Sequence, residues 1–331
     1  MAHVSVPTPD PDRFRDRGRF RDADRGQLLL VAGLVMAVSL VALVVLLNAT
    51  IYSENVATRG IEAADGEALE VRATTVDGTG TLLDATNRHA NESTSFGTVE
   101  ASIDVGVTAL DQRVARGYAR RGGVAEVTLA APGVTEGRYL QGSFNDTTEV
   151  PAVDRTRGFV IAVDPDRLPT ANESTAAADA FSVAFNRSGG AGTERVFLYL
   201  DDGTGDGSAD DIVAATASNG SDPAIVCRVS DGVADPLRVD LTAETIGGTS
   251  CPGLWPSVLV EPPERYTIEF DNTDDADASL VATVLSTMSP TGTVTPTATD
   301  AAYDATVEIR YHTAELRFET TVRVAPGEPD A

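Results

Sequence analysis

The chain has 331 residues, of which 50 are acidic and 25 basic, for a net charge of -25; that length holds a membrane segment plus one large or two modest domains. There is no lysine, which removes a P-loop lysine and a Schiff-base lysine from consideration. So acidic a surface also argues against nucleic acid as a partner, because neutralising phosphates needs a basic patch.

Residues 1–26 hold six arginines (Arg13, Arg15, Arg17, Arg19, Arg21 and Arg25) and five aspartates, and read as an unstructured cytoplasmic leader. Leu28 to Leu47 then reads LLLVAGLVMAVSLVALVVLL. A charge-free run of about twenty residues spans a bilayer as a helix, and this one is apolar all round rather than on one face. A transmembrane helix is therefore expected over 27–48. The next arginines are Arg59 and Arg72, so the positive-inside rule keeps the N-terminus in the cytoplasm and sends the C-terminal part outside. A chain this acidic repels itself in ordinary buffer, whereas molar salt shortens the Debye length to about 3 Å. The lysine-free, Asp-rich and Thr-rich composition resembles that of haloarchaeal proteins.

The flank Asp24-Arg25-Gly26-Gln27 ahead of the apolar run resembles the class III signal peptides of archaeal pilins and archaellins. The resemblance implies cleavage after Gly26, Gln27 as the new N-terminus, and a retained helix that packs in a filament core. Val31 departs from the pattern, since many pilins carry glutamate at that fifth mature position. An uncut membrane anchor is the other reading of the same residues. The stretch Asn48–Arg59, the Cys251-Pro252 region and the closing Val324–Asp330 resemble haloarchaeal pilin-like single-pass membrane proteins of unassigned function. That likeness brings no biochemical activity with it.

A helical stalk region is expected over 49–123. The membrane helix continues outward to about residue 64, and the crowding of Asp77, Gly78 and Gly80 marks a break. Val99, Ile103, Val107, Leu110, Val114 and Tyr118 recur at helical spacing and form a core-facing stripe. Glu100 and Asp104 in its early turns and Arg116, Arg120 and Arg121 at its end suit the macrodipole, and Gly122-Gly123 stops it.

From residue 124 to 326 the pattern changes to short β-branched runs. Strands are expected at Ala125–Leu129, Gly158–Val163, Phe181–Phe185, Arg195–Leu200, Ile212–Thr216, Ala224–Val229, Leu237–Leu241, Val258–Val260, Tyr266–Phe270, Leu280–Leu285, Thr306–Tyr311 and Leu316–Val324. Their spacing predicts an antiparallel, sandwich-like domain, so the fold class is α+β. The last two runs form the best hairpin, with one buried and one wet face. Ser289–Thr299 reads as a loop, 327–331 as a tail, and the chain from Pro329 onward as loose.

Few residues suggest chemistry. An outside location permits a Cys227–Cys251 disulfide, although two free buried thiols fit the same sequence. Asp202, Thr204, Asp206 and Asp210 fall at ligand positions of a calcium loop; Val213 stands where the bidentate glutamate belongs, so a plain polar hairpin turn is the preferred reading. Calcium is the one cofactor the sequence suggests, through this loop. Six of nine asparagines lie in N-x-[ST] sequons. Asn91, Asn145, Asn172, Asn186 and Asn219 are candidate glycosylation sites on a secreted domain, while Asn48 lies too close to the membrane. His3, His89 and His312 show no paired spacing, and no nucleophile elbow, phosphate loop or H-E-x-x-H motif occurs, so no enzyme is expected. Trp255 reads as a core plug beside the disulfide. The expected role is that of a membrane-anchored surface protein, either a pilin-like subunit or an anchored adhesin or envelope-binding module. Its partners would be membrane lipid and other pilin-like subunits or envelope components.

Overall fold

The computed structural model describes residues 33–34, 36–44, 46, 66–204, 207–230, 235–273 and 277–329. The chain divides into two compact units, Met1–Gly66 and Glu67–Ala331. In the first, the described residues between 33 and 46 are helical. Their large apolar side chains, from Leu34 to Leu46, are each at least 59% exposed. The expected leader, the Gly26–Gln27 junction and the 49–64 segment lie outside the described residues.

The second unit starts with two helices, α1 (66–89) and α2 (Phe96–Ala119). The strands follow: β1 (Val124–Ser143), β2 (Glu149–Val153), β3 (Arg155–Val163), β4 (Thr170–Ala171), then the short helix α3 (Ala176–Asp179), β5 (Phe181–Arg187), β6 (Gly192–Asp201), β7 (Ile212–Ser218), β8 (Ala224–Val229), β9 (Leu237–Asp240), β10 (Thr245–Ile246), β11 (Thr249–Ser250), β12 (Tyr266–Asp271), β13 (Ser279–Leu285), β14 (Thr297–His312) and β15 (Arg317–Val324). They make two sheets, ordered β11-β10-β9-β3-β13-β1-β14-β15 and β2-β12-β5-β6-β7-β8, with β4 joined to β6. Pairing is antiparallel except at β4–β6. The α+β, β-rich class expected from the spacing of apolar runs is observed.

The two sheets share one apolar core. Leu140, Phe159, Ile161, Leu280 and Val284 from the first sheet meet Phe181, Phe185, Val196, Ile268 and Phe270 from the second, the layered arrangement of a sandwich. A second core lies where α1 and α2 cover the far ends of β1, β14 and β15. Val71 and Leu83 of α1 and Val99, Ile103 and Val107 of α2 pack there with Val127, Val307, Ile309 and Tyr311. The apolar stripe expected on α2 is thus buried in a core, with Leu110 at its partly buried edge. Strands β1 and β14 serve both cores. The register of β1 on β14 shifts between Leu129 and Val134 and again between Thr135 and Glu136. A shift of this kind re-aims side chains along one continuous strand.

Several expectations are corrected. No break occurs at Asp77–Gly80: α1 runs through it. A Cβ on Gly78 would lie 2.8 Å from Leu110, and one on Gly106 of α2 would lie 2.4 Å from Leu82, so these glycines let the antiparallel helices approach closely rather than end one of them. From Glu67 onward the helices belong to the same compact unit as the sheets, because their buried faces complete a sheet surface. Residues Ser257–Leu259 form a 3-10 turn capped by Pro256 in place of a strand at Val258–Val260. Strand β1 passes straight through Pro132-Gly133, where the sequence predicted an end at Leu129, because β14 pairs with it on both sides of the shift. Thr297–Thr299 belong to β14 rather than to a loop. Ahead of the loose end expected from Pro329, the start of the tail is held in place. Gly327 accepts a backbone hydrogen bond from Gly158 at 2.9 Å, and Glu328 binds side chains of β14 and β15.

Candidate functional site

The most elaborate polar cluster is one the sequence did not announce. Arg157, on β3, is 2% exposed. Its Nε donates to the Tyr303 carbonyl at 2.6 Å, Nη2 to the Ala302 carbonyl at 3.0 Å, and Nη1 to Asp84 Oδ1 at 2.8 Å and the Pro326 carbonyl at 3.0 Å. One guanidinium thereby joins α1, β3, β14 and the tail. Asn87, one turn after Asp84 on α1, donates to the Ala302 carbonyl and accepts its N–H, both at 2.9 Å, as a neighbouring strand would. This stretch of β14 precedes the part paired with β15, so side chains from a helix and a distant strand satisfy backbone groups that no strand reaches. Beside it, Glu328 accepts from Tyr303 Oη at 2.7 Å and from Arg323 at 2.6 and 3.0 Å. Burial works to raise the Glu328 carboxyl, yet the bonds from Arg323 and Tyr303 outweigh it and hold the group below the usual carboxylate range. Burial, then the Glu328 charge, raises the Tyr303 phenol. The clue in the sequence is slight, because Arg157 is one of two arginines that precede the apolar stretch Phe159–Val163 of β3. At the other end of the helices, the Tyr311 phenol is pushed up to about 12 by burial and by its hydrogen bond to Glu67.

The acidic loop expected as a calcium site lies between β6 and β7, which pair as a hairpin. Asp202 Oδ1 accepts from the Thr204 N–H at 2.8 Å and from its hydroxyl at 2.6 Å, and Oδ2 accepts from Asn172 at 2.8 Å. The Thr204 hydroxyl and the Asn172 amide lower the Asp202 carboxyl. Asp210 turns the chain at φ 71°, and its N–H donates to the Asp201 carbonyl at 3.0 Å. Asp206 lies outside the described residues. Among those described, no group of three His, Cys, Asp or Glu side chains is placed to hold a metal ion.

The five sequons differ in how their amides are used. Asn145 Nδ2 donates to Thr293 Oγ1 at 3.1 Å, and Asn172 Nδ2 to Asp202. Asn186 lies within β5 and accepts from the Thr193 hydroxyl at 2.7 Å. Asn219, at φ 53°, accepts from the Thr193 N–H at 3.2 Å. Asn91 is exposed, and its Oδ1 accepts from the Ser93 N–H at 2.9 Å.

Cys227 of β8 and Cys251 are joined by a disulfide. Because β8 edges one sheet and Cys251 directly follows β11 at the edge of the other, the bond staples the two sheets together. Trp255 is 4% exposed and packs edge-on against Phe185, with ring centroids 5.2 Å apart. His89 bonds the Ala85 carbonyl within its own helix at 2.7 Å, and His312 ends β14.

Among the described residues no helix is long and apolar enough to cross a membrane; much of Leu28–Leu47 lies outside them. No curated protein and no solved structure matches the chain. Residues 22–193, just over half of the chain, match a family of unknown function, DUF7261. That span takes in the apolar run, both helices and the strands through β5, and the chain belongs to this family.

Proposed function

We propose that this chain is a membrane-anchored surface protein of a halophilic archaeon, serving as a pilin-like subunit or minor pilin. The observation that carries the proposal is the charge-free run after an arginine-rich leader. Its described residues are helical, and their large apolar side chains from Leu34 to Val44 are exposed. Such a surface needs lipid or other apolar helices around it. The disulfide supports an oxidising location, and the -25 charge supports a salt-rich one. The β-rich unit would then face the medium as a glycosylated head.

Fractionation and mass spectrometry of the mature N-terminus test this. The expected product is found in membranes or filaments and begins at Gln27. A membrane-bound product that retains its leader overturns the pilin assignment and leaves an anchored adhesin or envelope-binding module. A soluble, full-length intracellular product overturns the anchor as well. Calcium binding at the β6–β7 hairpin has its own test in calorimetry at high salt: heat that Asp206→Ala abolishes supports a site, and equal heats leave only a turn.

A further inference from the structure

The connection between α1 and α2 overhangs the β1–β14 pair. Between them lies a cleft of about 600 Å³, with Asn91, Glu92 and Ser93 on one wall and Tyr139, Gln141 and Thr299 on the other. A volume of this size falls in the range of small-molecule sites. Register places Tyr139 directly opposite Thr299, with Gln141 opposite Thr297 on the same face. Thr299 is 6% exposed, and its hydroxyl has no hydrogen-bond partner among the described residues. A buried hydroxyl left unpaired is unfavourable unless something enters to bond it. Apart from Glu92, the polar side chains here are neutral: hydroxyls, the amides of Asn91 and Gln141, and the Tyr139 ring. That set suits a polyhydroxyl ligand, with ring C–H groups lying against the accessible part of Tyr139, which is 9% exposed, and hydroxyls meeting the threonine and the amide.

The wall also carries its own attachment point. Asn91-Glu92-Ser93 is a complete sequon, and all three residues line the cleft. The amide nitrogens of Asn145 and Asn172 are engaged by Thr293 and Asp202. By contrast, Asn91 Nδ2 bonds no described residue, because Oδ1 alone closes the turn onto the Ser93 N–H.

We propose that Asn91 carries a saccharide whose first rings seat in this cleft, against Tyr139 and bonded to Thr299 and Gln141. This rests on the reading of the β-rich unit as an exported head. Attachment forms a bond from Nδ2 to the anomeric carbon of an activated, phosphate-linked glycosyl donor. The same step breaks that carbon's bond to the phosphate leaving group and releases one amide proton. A seated glycan would tie the turn between the helices to the sheet.

The test uses protein from membranes of its native host, kept at high salt. Glycopeptide mass spectrometry reads occupancy, and hydrogen exchange reads protection at residues 139–142 and 297–299. Asn91 is expected to be occupied. Removing the glycan by Asn91→Gln, or independently by Ser93→Ala, should speed exchange at both segments about tenfold, the effect of roughly one net hydrogen bond. Gln141→Ala should keep the glycan and lose part of the protection. A bare Asn91 with other sequons occupied overturns the seat while leaving the exported head intact, and so does an occupied Asn91 whose loss leaves exchange unchanged. Bare asparagines at every sequon overturn this inference while the membrane test above still judges the anchor.

Discussion

The sandwich and the helix-covered end of the sheet are held by different physics. In the sandwich, long strands bury aromatic and branched side chains between two sheets. Phe144 stacks on Phe270 at 4.0 Å, and Phe185 meets both Trp255 and Tyr266. A disulfide closes its edge. The helix layer has a thinner apolar face. The inward positions of α1 include Thr75, Thr79 and Asn87, all at most 1% exposed, and its contact with α2 depends on glycines. Polar side chains make up the difference by reaching backbone groups. Arg157 and Asn87 do so on β14, Asp111 of α2 accepts the Val127 N–H at 2.8 Å, and Asp300 accepts the Phe96 N–H at 2.9 Å. Apolar burial is non-directional and tolerates repacking. Hydrogen bonds to a strand edge set one position for the helices, and they fail sharply when a partner is removed.

The comparison breaks most visibly at Arg157. Arg157→Ala leaves the Tyr303 and Pro326 carbonyls and Asp84 without this donor, and is expected to cost about 3–5 kcal/mol. Denaturant unfolding at constant molar salt measures the loss, and hydrogen exchange should place it in α1 and the tail. A cost under about 1 kcal/mol would mean that the apolar face alone holds the helices.

The disulfide is the matching test for the sandwich. With a sequence separation of 24 residues, the Cys227→Ala/Cys251→Ala variant should lose about 3–4 kcal/mol. Exchange should quicken in β8 and around Cys251, with α1 and α2 unaffected. Equal loosening of the helices would show that the two cores unfold as one unit.

Next comes helix packing. Gly106→Ala pushes a methyl into Leu82 and should cost about 1–3 kcal/mol. Adding Leu82→Ala should recover part of that, and the non-additivity of the double-mutant cycle reports the contact. Fully additive costs would count against close helix contact at this point.

The smallest effect is that of acid on the tail. The folded Glu328 carboxyl is held below the usual carboxylate range, so its contribution is present above the unfolded-state pKa and is lost as pH falls through the folded one. Glu328→Gln should remove this pH dependence. At neutral pH it should cost about 1 kcal/mol, because Arg323 is partly exposed and molar salt screens the pair. Identical acid titrations of wild type and variant would assign acid sensitivity to other carboxylates.

Much of the fold was legible before the structure. The stripe on α2 repeats at helical spacing, β12 and β15 alternate at period two, and β5 and β7 are short apolar runs, so local sequence announces them. Features whose cause lies far along the chain were not legible. Gly78 and Gly80 look like a turn until Leu110 and Pro326 are seen opposite them. Pro132-Gly133 looks like a strand end until β14 is seen to pair on both sides. The cleft beside Asn91 brings together residues about 50 and 200 positions from it, and no local pattern encodes that meeting.

By itself the sequence determined the apolar run, the excess of acid over arginine, the change from helical to strand periodicity, and which residues carry sulfur or form sequons. All of these are properties of neighbouring residues and of composition. The tertiary structure decided which sheet each strand joins, that the helices complete a second core, that the two cysteines meet, and that a buried arginine ties the tail to α1. Those outcomes depend on contacts between residues far apart in the chain, and their geometry follows from how two sheets and two helices bury their faces together.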